Sequence, residues 1–215
     1  MIAISRHFLL PCAVIAAGLL IGGAGLAAGS SDRDDAGARG SLADAMPGRI
    51  GLPADFCLVE RDAGPVHGRL WGAFAPPPSR GATQQLLAVD CATLREVEAG
   101  RLRRPTRLIG IYSLRPDPDL PPSAEAALAA LEQRFSRPEL AVKAPVIGRD
   151  RQAIYLEQGR SAAAGSGEPR GVSAFTFRSR DAFVVNVFYF GEAPPTETIR
   201  AQAEMTVRGL LAAAP

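Results

Sequence analysis

One segment near the C-terminus constrains the fold of this chain more than any other. Residues 182–190 read AFVVNVFYF, and all of them except one asparagine are apolar. In a β-strand alternate residues point to opposite faces, so Phe183 and Tyr189 belong to one face and Val184 and Phe188 to the other. A strand that is apolar on both faces must be covered on both sides. The sequence therefore predicts a central strand with a packing layer on each side.

The spacing of apolar residues and the Gly, Pro and Ser that interrupt them predict the other elements. Strands are expected at residues 56–59, 85–91, 106–114, 152–158 and 172–178, and the last of these forms a hairpin with 182–190. Helices are expected at 92–100, 123–135 and 196–213, with Asp90 or Thr93 starting the first and Ser123 and Thr196 capping the others. Residues 61–79 give no definite prediction.

Hairpin-paired strands mixed with helices predict an α+β fold. The expected architecture is a mainly antiparallel sheet with helices packed on its faces, including a long C-terminal helix. Residues 55–215 have the length of a single domain, and a hydrophobic content of 47% is sufficient for a packed core.

The order of elements over roughly residues 105–213 resembles that of the PsbP-like α/β/α sandwich, a fold of small exported bacterial and thylakoid-lumen proteins. The resemblance lies in element order and not in a motif, so it assigns no functional residue. Many proteins of that fold are non-catalytic accessory or assembly factors. The resemblance therefore implies an accessory role for this chain, as an expectation by analogy.

The N-terminal residues indicate export. Arg6 and His7 precede residues 8–28, which carry no charge and end in small residues, as a secretory signal peptide does. The same stretch is long enough to span a bilayer, so a retained anchor is the alternative. Residues 29–54 are rich in Gly, Ala, Ser and Asp and predict a flexible linker. We expect a periplasmic or secreted protein, with attachment to the inner membrane through residues 8–28 as the alternative.

Two cysteines follow the leader, Cys57 and Cys91. Disulfides persist in the oxidising compartments that exported proteins reach, so these two thiols are expected to pair. The alternative is a pair of buried free thiols.

Motifs for catalysis or metal binding are missing from the sequence. His67 is the only histidine after the leader, which excludes two-histidine zinc motifs and makes any catalytic triad depend on it. The spacing of Cys57, His67 and Cys91 matches no common structural zinc site. Asp117 and Asp119 lie in a Pro-rich turn without the glutamate of an EF-hand loop. We expect neither a metal site nor a cofactor.

Four arginines close together in sequence form the candidate binding patch: Arg101, Arg103, Arg104 and Arg107. Such a patch can contact an anionic membrane surface or an acidic partner. The net charge is only +2, and every basic residue except Lys143 is an arginine, so a solvated loop is the alternative. No aromatic residue lies within the cluster, and nucleic-acid binding is not expected.

These features favour a non-enzymatic, exported cell-envelope protein that acts as a binding or accessory module. Its partner would be an envelope protein or an anionic membrane surface. The alternative is a periplasmic hydrolase whose carboxylate-based site is assembled from separate segments. A shallow surface with one apolar patch would favour the binding module, and a deep pocket lined by carboxylates with perturbed pKa values would favour the enzyme.

Overall fold

The computed structural model describes residues 50–77, 81–115, 117–159, 169–178 and 181–213. The predicted leader, residues 1–28, and the linker as far as residue 49 lie outside these ranges. Among the helices of the described ranges, none combines the length and the apolar composition that crossing a bilayer requires.

The strands of the described ranges form one seven-stranded antiparallel sheet. In chain order they are β1 Phe56–Leu58, β2 Ala82–Asp90, β3 Arg107–Leu114, β4 Val146–Arg149, β5 Ala153–Gln158, β6 Arg170–Arg178 and β7 Asp181–Tyr189. The order across the sheet is β1-β2-β3-β7-β6-β5-β4. The segment predicted to be central is β7, which lies fourth among the seven strands, between β3 and β6.

Helices cover both faces of this sheet, which confirms the α+β class. They are α1 Pro65–Phe74, α2 Cys91–Glu98, α3 Ala124–Phe135, α4 Pro138–Ala141 and α5 Thr196–Ala212. The long C-terminal helix α5 packs on one face, where its apolar residues meet Phe183, Val185 and Tyr189 of β7. On the opposite face α3 packs against β5 and β6, while α1 and α2 cover the half formed by β1 to β3.

The predicted helix boundaries are set by local hydrogen bonds. The Ser123 hydroxyl accepts from the Ala126 amide at 3.3 Å at the start of α3, and the Asp90 carboxylate accepts from the Thr93 amide at 2.9 Å at the start of α2. Gly100 follows the end of α2 with a φ of +72°, where glycine is favoured. The Gly100 amide donates to Val97 O and the next amide to Glu96 O, so a Schellman motif ends the helix.

Some elements differ from the predictions. No element was predicted for residues 61–79, but they contain α1. This helix begins at Pro65, includes two glycines and has no side-chain N-cap. The short strand β4 was also not predicted, because it has four residues and a bulge. Thr196 is the first residue of α5 and not its N-cap. Its hydroxyl donates instead to Glu157 Oε1 at 2.9 Å.

Two side chains of the sheet bind the C-terminal end of α1. The Tyr112 hydroxyl donates to Phe74 O at 3.2 Å, and Gln84 Nε2 donates to Trp71 O at 3.4 Å. These bonds satisfy carbonyls that have no partner within the helix. The Tyr112 ring lies over Gly110, where a Cβ would be 2.6 Å from the phenol oxygen. Burial raises the pKa of the Tyr112 phenol.

The described chain begins on the α5 side of the sheet. Ile50 is buried in the core between α5 and the sheet, and Leu52 packs against the same core. Gly51 crosses α5 so closely at Gly209 that a Cβ there would overlap the Gly51 backbone nitrogen. Ile50 and Leu52 fall within the predicted linker 29–54. The last residues of that segment are therefore packed against the domain and are not part of a flexible linker.

Candidate functional site

The predicted disulfide is confirmed. Cys57 in β1 and Cys91, the first residue of α2, are bonded, with their Cα atoms 4.9 Å apart and a sequence separation of 34. Two backbone bonds flank the bridge, from Cys91 N to Asp55 O and from Val59 N to Leu87 O. The disulfide therefore joins the edge strand β1 to the start of α2.

Arg107 is separated from the other three arginines of the predicted patch. It is the first residue of β3, only 24% of its side chain is exposed, and it forms ion pairs with Asp55 at 2.7 Å and with Asp90. Its guanidinium also lies 5.1 Å from the centre of the Phe56 ring. Because Asp90 caps α2 as well, Arg107 connects β1, β3 and α2 and has a structural role.

Arg101, Arg103 and Arg104 lie on the exposed loop between α2 and β3. Arg101 Nη2 donates to Glu96 Oε1 at 2.8 Å, and this bond lowers the pKa of the Glu96 carboxyl. The Arg104 guanidinium lies 5.3 Å from the centre of the Phe190 ring. These three exposed residues are the part of the cluster for which anion binding remains a prediction.

His67 and Glu157 make contacts that join structural elements of the described ranges. His67 Nδ1 accepts from the Glu60 amide at 3.2 Å, and its Nε2 donates to Glu98 Oε1 at 3.0 Å, so both ring nitrogens are used. The buried Glu157 accepts from Thr196 and lies 3.8 Å from an Arg170 nitrogen. Over the described ranges, no three His, Cys, Asp or Glu side chains are grouped closely enough to hold a metal ion.

A mainly apolar cavity of about 270 Å³ lies between the start of α3 and the ends of β3, β6 and β7. We call it the α3 cavity. Its apolar lining comprises Leu114, Leu120, Pro121, Pro122, Ala124, Ala127, Leu131, Phe175, Phe177, Ala182 and Phe183. Arg115, Asp117, Ser123 and Thr176 complete the lining.

The size of the α3 cavity follows from small residues on a helix that otherwise presents leucines. Ala124 and Ala127 lie on the face of α3 that is turned to the sheet, one turn before Leu128 and Leu131. Phe175 forms part of the wall and is held by the Phe135 ring, whose centre is 5.2 Å away. The spacing of the two alanines in the sequence gives no sign that the space beside them is open.

The two charged residues of the lining differ in their partners. Asp117 Oδ2 accepts from Arg134 Nη1 at 3.1 Å, and Asp117 Oδ1 accepts from the Asp119 amide at 3.0 Å. Arg115 is exposed, and it forms no ion pair with any residue of the described ranges. Among the described residues of its wall, the α3 cavity is therefore an apolar space with one uncompensated positive charge, that of Arg115.

Comparisons of this chain with protein-family models, with curated proteins and with solved structures find no match. The α3 cavity has space for another molecule.

Replacing Arg107 is expected to lower stability, whereas replacing Arg103 is not. The Arg107→Gln variant leaves Asp90 largely buried without its cation, which should lower the free energy of unfolding by about 1–3 kcal/mol. Arg103→Gln, on the exposed loop, should change it by less than about 0.5 kcal/mol. Urea unfolding of both variants measures the difference. Equal stabilities would contradict the structural role of Arg107.

Proposed function

We propose that this chain is a non-enzymatic binding module of the cell envelope. The observation that carries the proposal is the α3 cavity, whose lining is mainly apolar and whose one acidic side chain, Asp117, is already bound to Arg134. An apolar wall gains free energy when it is covered by an apolar group. The two hydroxyl groups of the lining are engaged in local bonds, Ser123 with the Ala126 amide and Thr176 with Gln152 O. The group that it receives belongs to a small ligand or to a partner protein.

The charged side chains support a binding role over a hydrolytic one. Carboxylate-based hydrolysis needs two carboxyl groups that face one open space. The buried carboxylates of the described ranges, Asp90 and Glu157, are instead bound to Arg107 and to Thr196, where they join structural elements.

Export to the envelope is part of the proposal. It is supported by the uncharged residues 8–28, which precede the described ranges, and by the Cys57–Cys91 disulfide, which is typical of oxidising compartments. The resemblance in element order to PsbP-like accessory proteins agrees with it. The proposed partner is an envelope protein or an anionic membrane surface.

Photo-crosslinking in the native host tests whether the cavity is occupied. A photoreactive phenylalanine replaces Pro122, an exposed residue of the cavity wall, or Ala129, an exposed residue of α3 outside that wall. We expect irradiation of intact cells to give an adduct with the Pro122 variant that the Ala129 variant does not give. The mass of the adduct distinguishes a protein from a small molecule. Adducts at both positions alike, or at neither, would contradict the proposed function.

A further inference from the structure

We infer that the α3 cavity binds an anionic amphiphile, with the aliphatic chain inside the cavity and the acidic headgroup on Arg115. The inference rests on the proposed function and names the chemical class of the ligand. Two sources share this chemistry: a free fatty acid, and an acyl chain that belongs to an anionic lipid.

The volume and lining of the cavity define the aliphatic chain of the ligand. A cavity of about 150 Å³ lined by aliphatic and aromatic side chains takes up benzene, so a cavity of about 270 Å³ has room for about ten carbon atoms. Leu114, Leu131 and Phe175 present carbon atoms to this space. No polar side chain among the described residues of the lining is both buried and without a partner, so an aliphatic chain inside the cavity would not cover an unsatisfied side-chain atom of its wall.

The charges of the lining define the headgroup. Arg134 compensates Asp117, and Arg115 therefore gives the cavity wall a net positive charge. Arg115 is exposed, so an acidic headgroup bound to it stays in contact with water and avoids the desolvation that burial of a charge entails. A cationic or neutral headgroup would gain nothing from this side chain.

Titrations with decanoate test the inference on the full chain. Nuclear magnetic resonance of the labelled protein reports the amides that shift, and 1-decanol and decyltrimethylammonium serve as neutral and cationic controls. We expect saturable binding of decanoate with a dissociation constant of about 0.1–1 mM, with shifts centred on residues 114–131. Decyltrimethylammonium should bind at least tenfold more weakly.

Matched variants separate the cavity from the rest of the surface. Ala127→Leu fills the cavity from α3 and should weaken decanoate binding at least tenfold. Ala129→Leu adds the same side chain on the exposed side of α3 and should leave binding unchanged. Ala124→Leu, at a half-buried position of the wall, gives the same test if Ala127→Leu does not fold.

The role of Arg115 is tested separately. Arg115→Gln should weaken decanoate binding about three- to tenfold and leave 1-decanol binding unchanged, whereas Arg103→Gln should affect neither. Titration with a decanoyl lysophosphatidylglycerol distinguishes the two sources of the ligand. Tighter binding of this lipid than of decanoate would show that the acyl chain belongs to an anionic lipid, and tighter binding of decanoate would show that the ligand is a free fatty acid.

Three results would overturn the inference: no saturable binding of either anion up to about 5 mM, binding that Ala127→Leu and Ala124→Leu leave unchanged, or equal binding of the cationic control. Failure of this inference is distinguishable from failure of the proposed function. A protein adduct at position 122 without decanoate binding would leave the binding module intact and make its ligand a protein side chain.

Discussion

Removal of the Cys57–Cys91 disulfide is expected to lower the free energy of unfolding by about 4 kcal/mol. The bridge closes a loop with a sequence separation of 34, and a loop of that size restricts the unfolded chain by about this amount. In the folded protein the bridge also holds β1, an edge strand with only three residues paired to β2. Without it, that short pairing and its flanking hydrogen bonds must keep β1 in place.

Urea and thermal unfolding of a Cys57→Ala/Cys91→Ala double variant measure this effect. For a domain of this size, a loss of about 4 kcal/mol corresponds to a fall in Tm of about 8–16 °C. Dithiothreitol should lower the stability of the wild-type protein by a similar amount and leave the double variant unaffected. A difference below about 1 kcal/mol between the variant and the wild type would show that β1 does not depend on the bridge.

The Phe135→Ala variant is expected to lose a similar amount, about 3–5 kcal/mol. The Phe135 side chain has no exposed surface, and its ring packs between α3 and the sheet with its centre 5.2 Å from that of Phe175. Alanine would leave a void behind the wall of the α3 cavity, because the surrounding strands cannot move in to fill it. The loss combines the hydrophobic free energy that burial of the ring contributes in the wild type with the contacts that Phe175 no longer makes.

Urea unfolding of Phe135→Ala is best compared with that of two other variants. Phe135→Leu keeps part of the volume and should give an intermediate loss of stability. Val142→Ala removes an apolar side chain that is 81% exposed and should change the free energy of unfolding by less than about 0.5 kcal/mol. Similar losses for Phe135→Ala and Val142→Ala would mean that Phe135 is not part of the core.

The sequence predicted the centre of the sheet, the edge strand β1 and three of the helices, but not the edge strand β4 or the helices α1 and α4. Burial on both faces is evident in residues 182–190, because apolar residues point to both faces and only Asn186 is polar. The strand β4 has no such pattern, since it is short, bulged and at the edge. Helix α1 contains Gly68 and Gly72, which weaken a helical pattern, and its C-terminal carbonyls are satisfied by Tyr112 and Gln84 from distant strands.

The candidate site was less predictable because it depends on where separate segments meet. Arg103 and Arg107 are four residues apart, yet the first lies on an exposed loop and the second starts a strand that points it at Asp55 and Asp90. Ala127 faces the core. Whether an inward alanine is closely packed or borders an open space is decided by the loop after β3 and by Phe177, and no local pattern encodes that.

The entry of the chain on the α5 side has a consequence for how the domain can work when attached. Whatever precedes Ile50 reaches the domain where Gly51 crosses Gly209, on the face of the sheet opposite to α3. The point where the described chain enters the domain and the start of α3, which borders the cavity, therefore lie on opposite faces of the sheet. A domain attached through its N-terminus would keep the cavity accessible, so that attachment of the domain and binding of a ligand in the cavity would not interfere with each other.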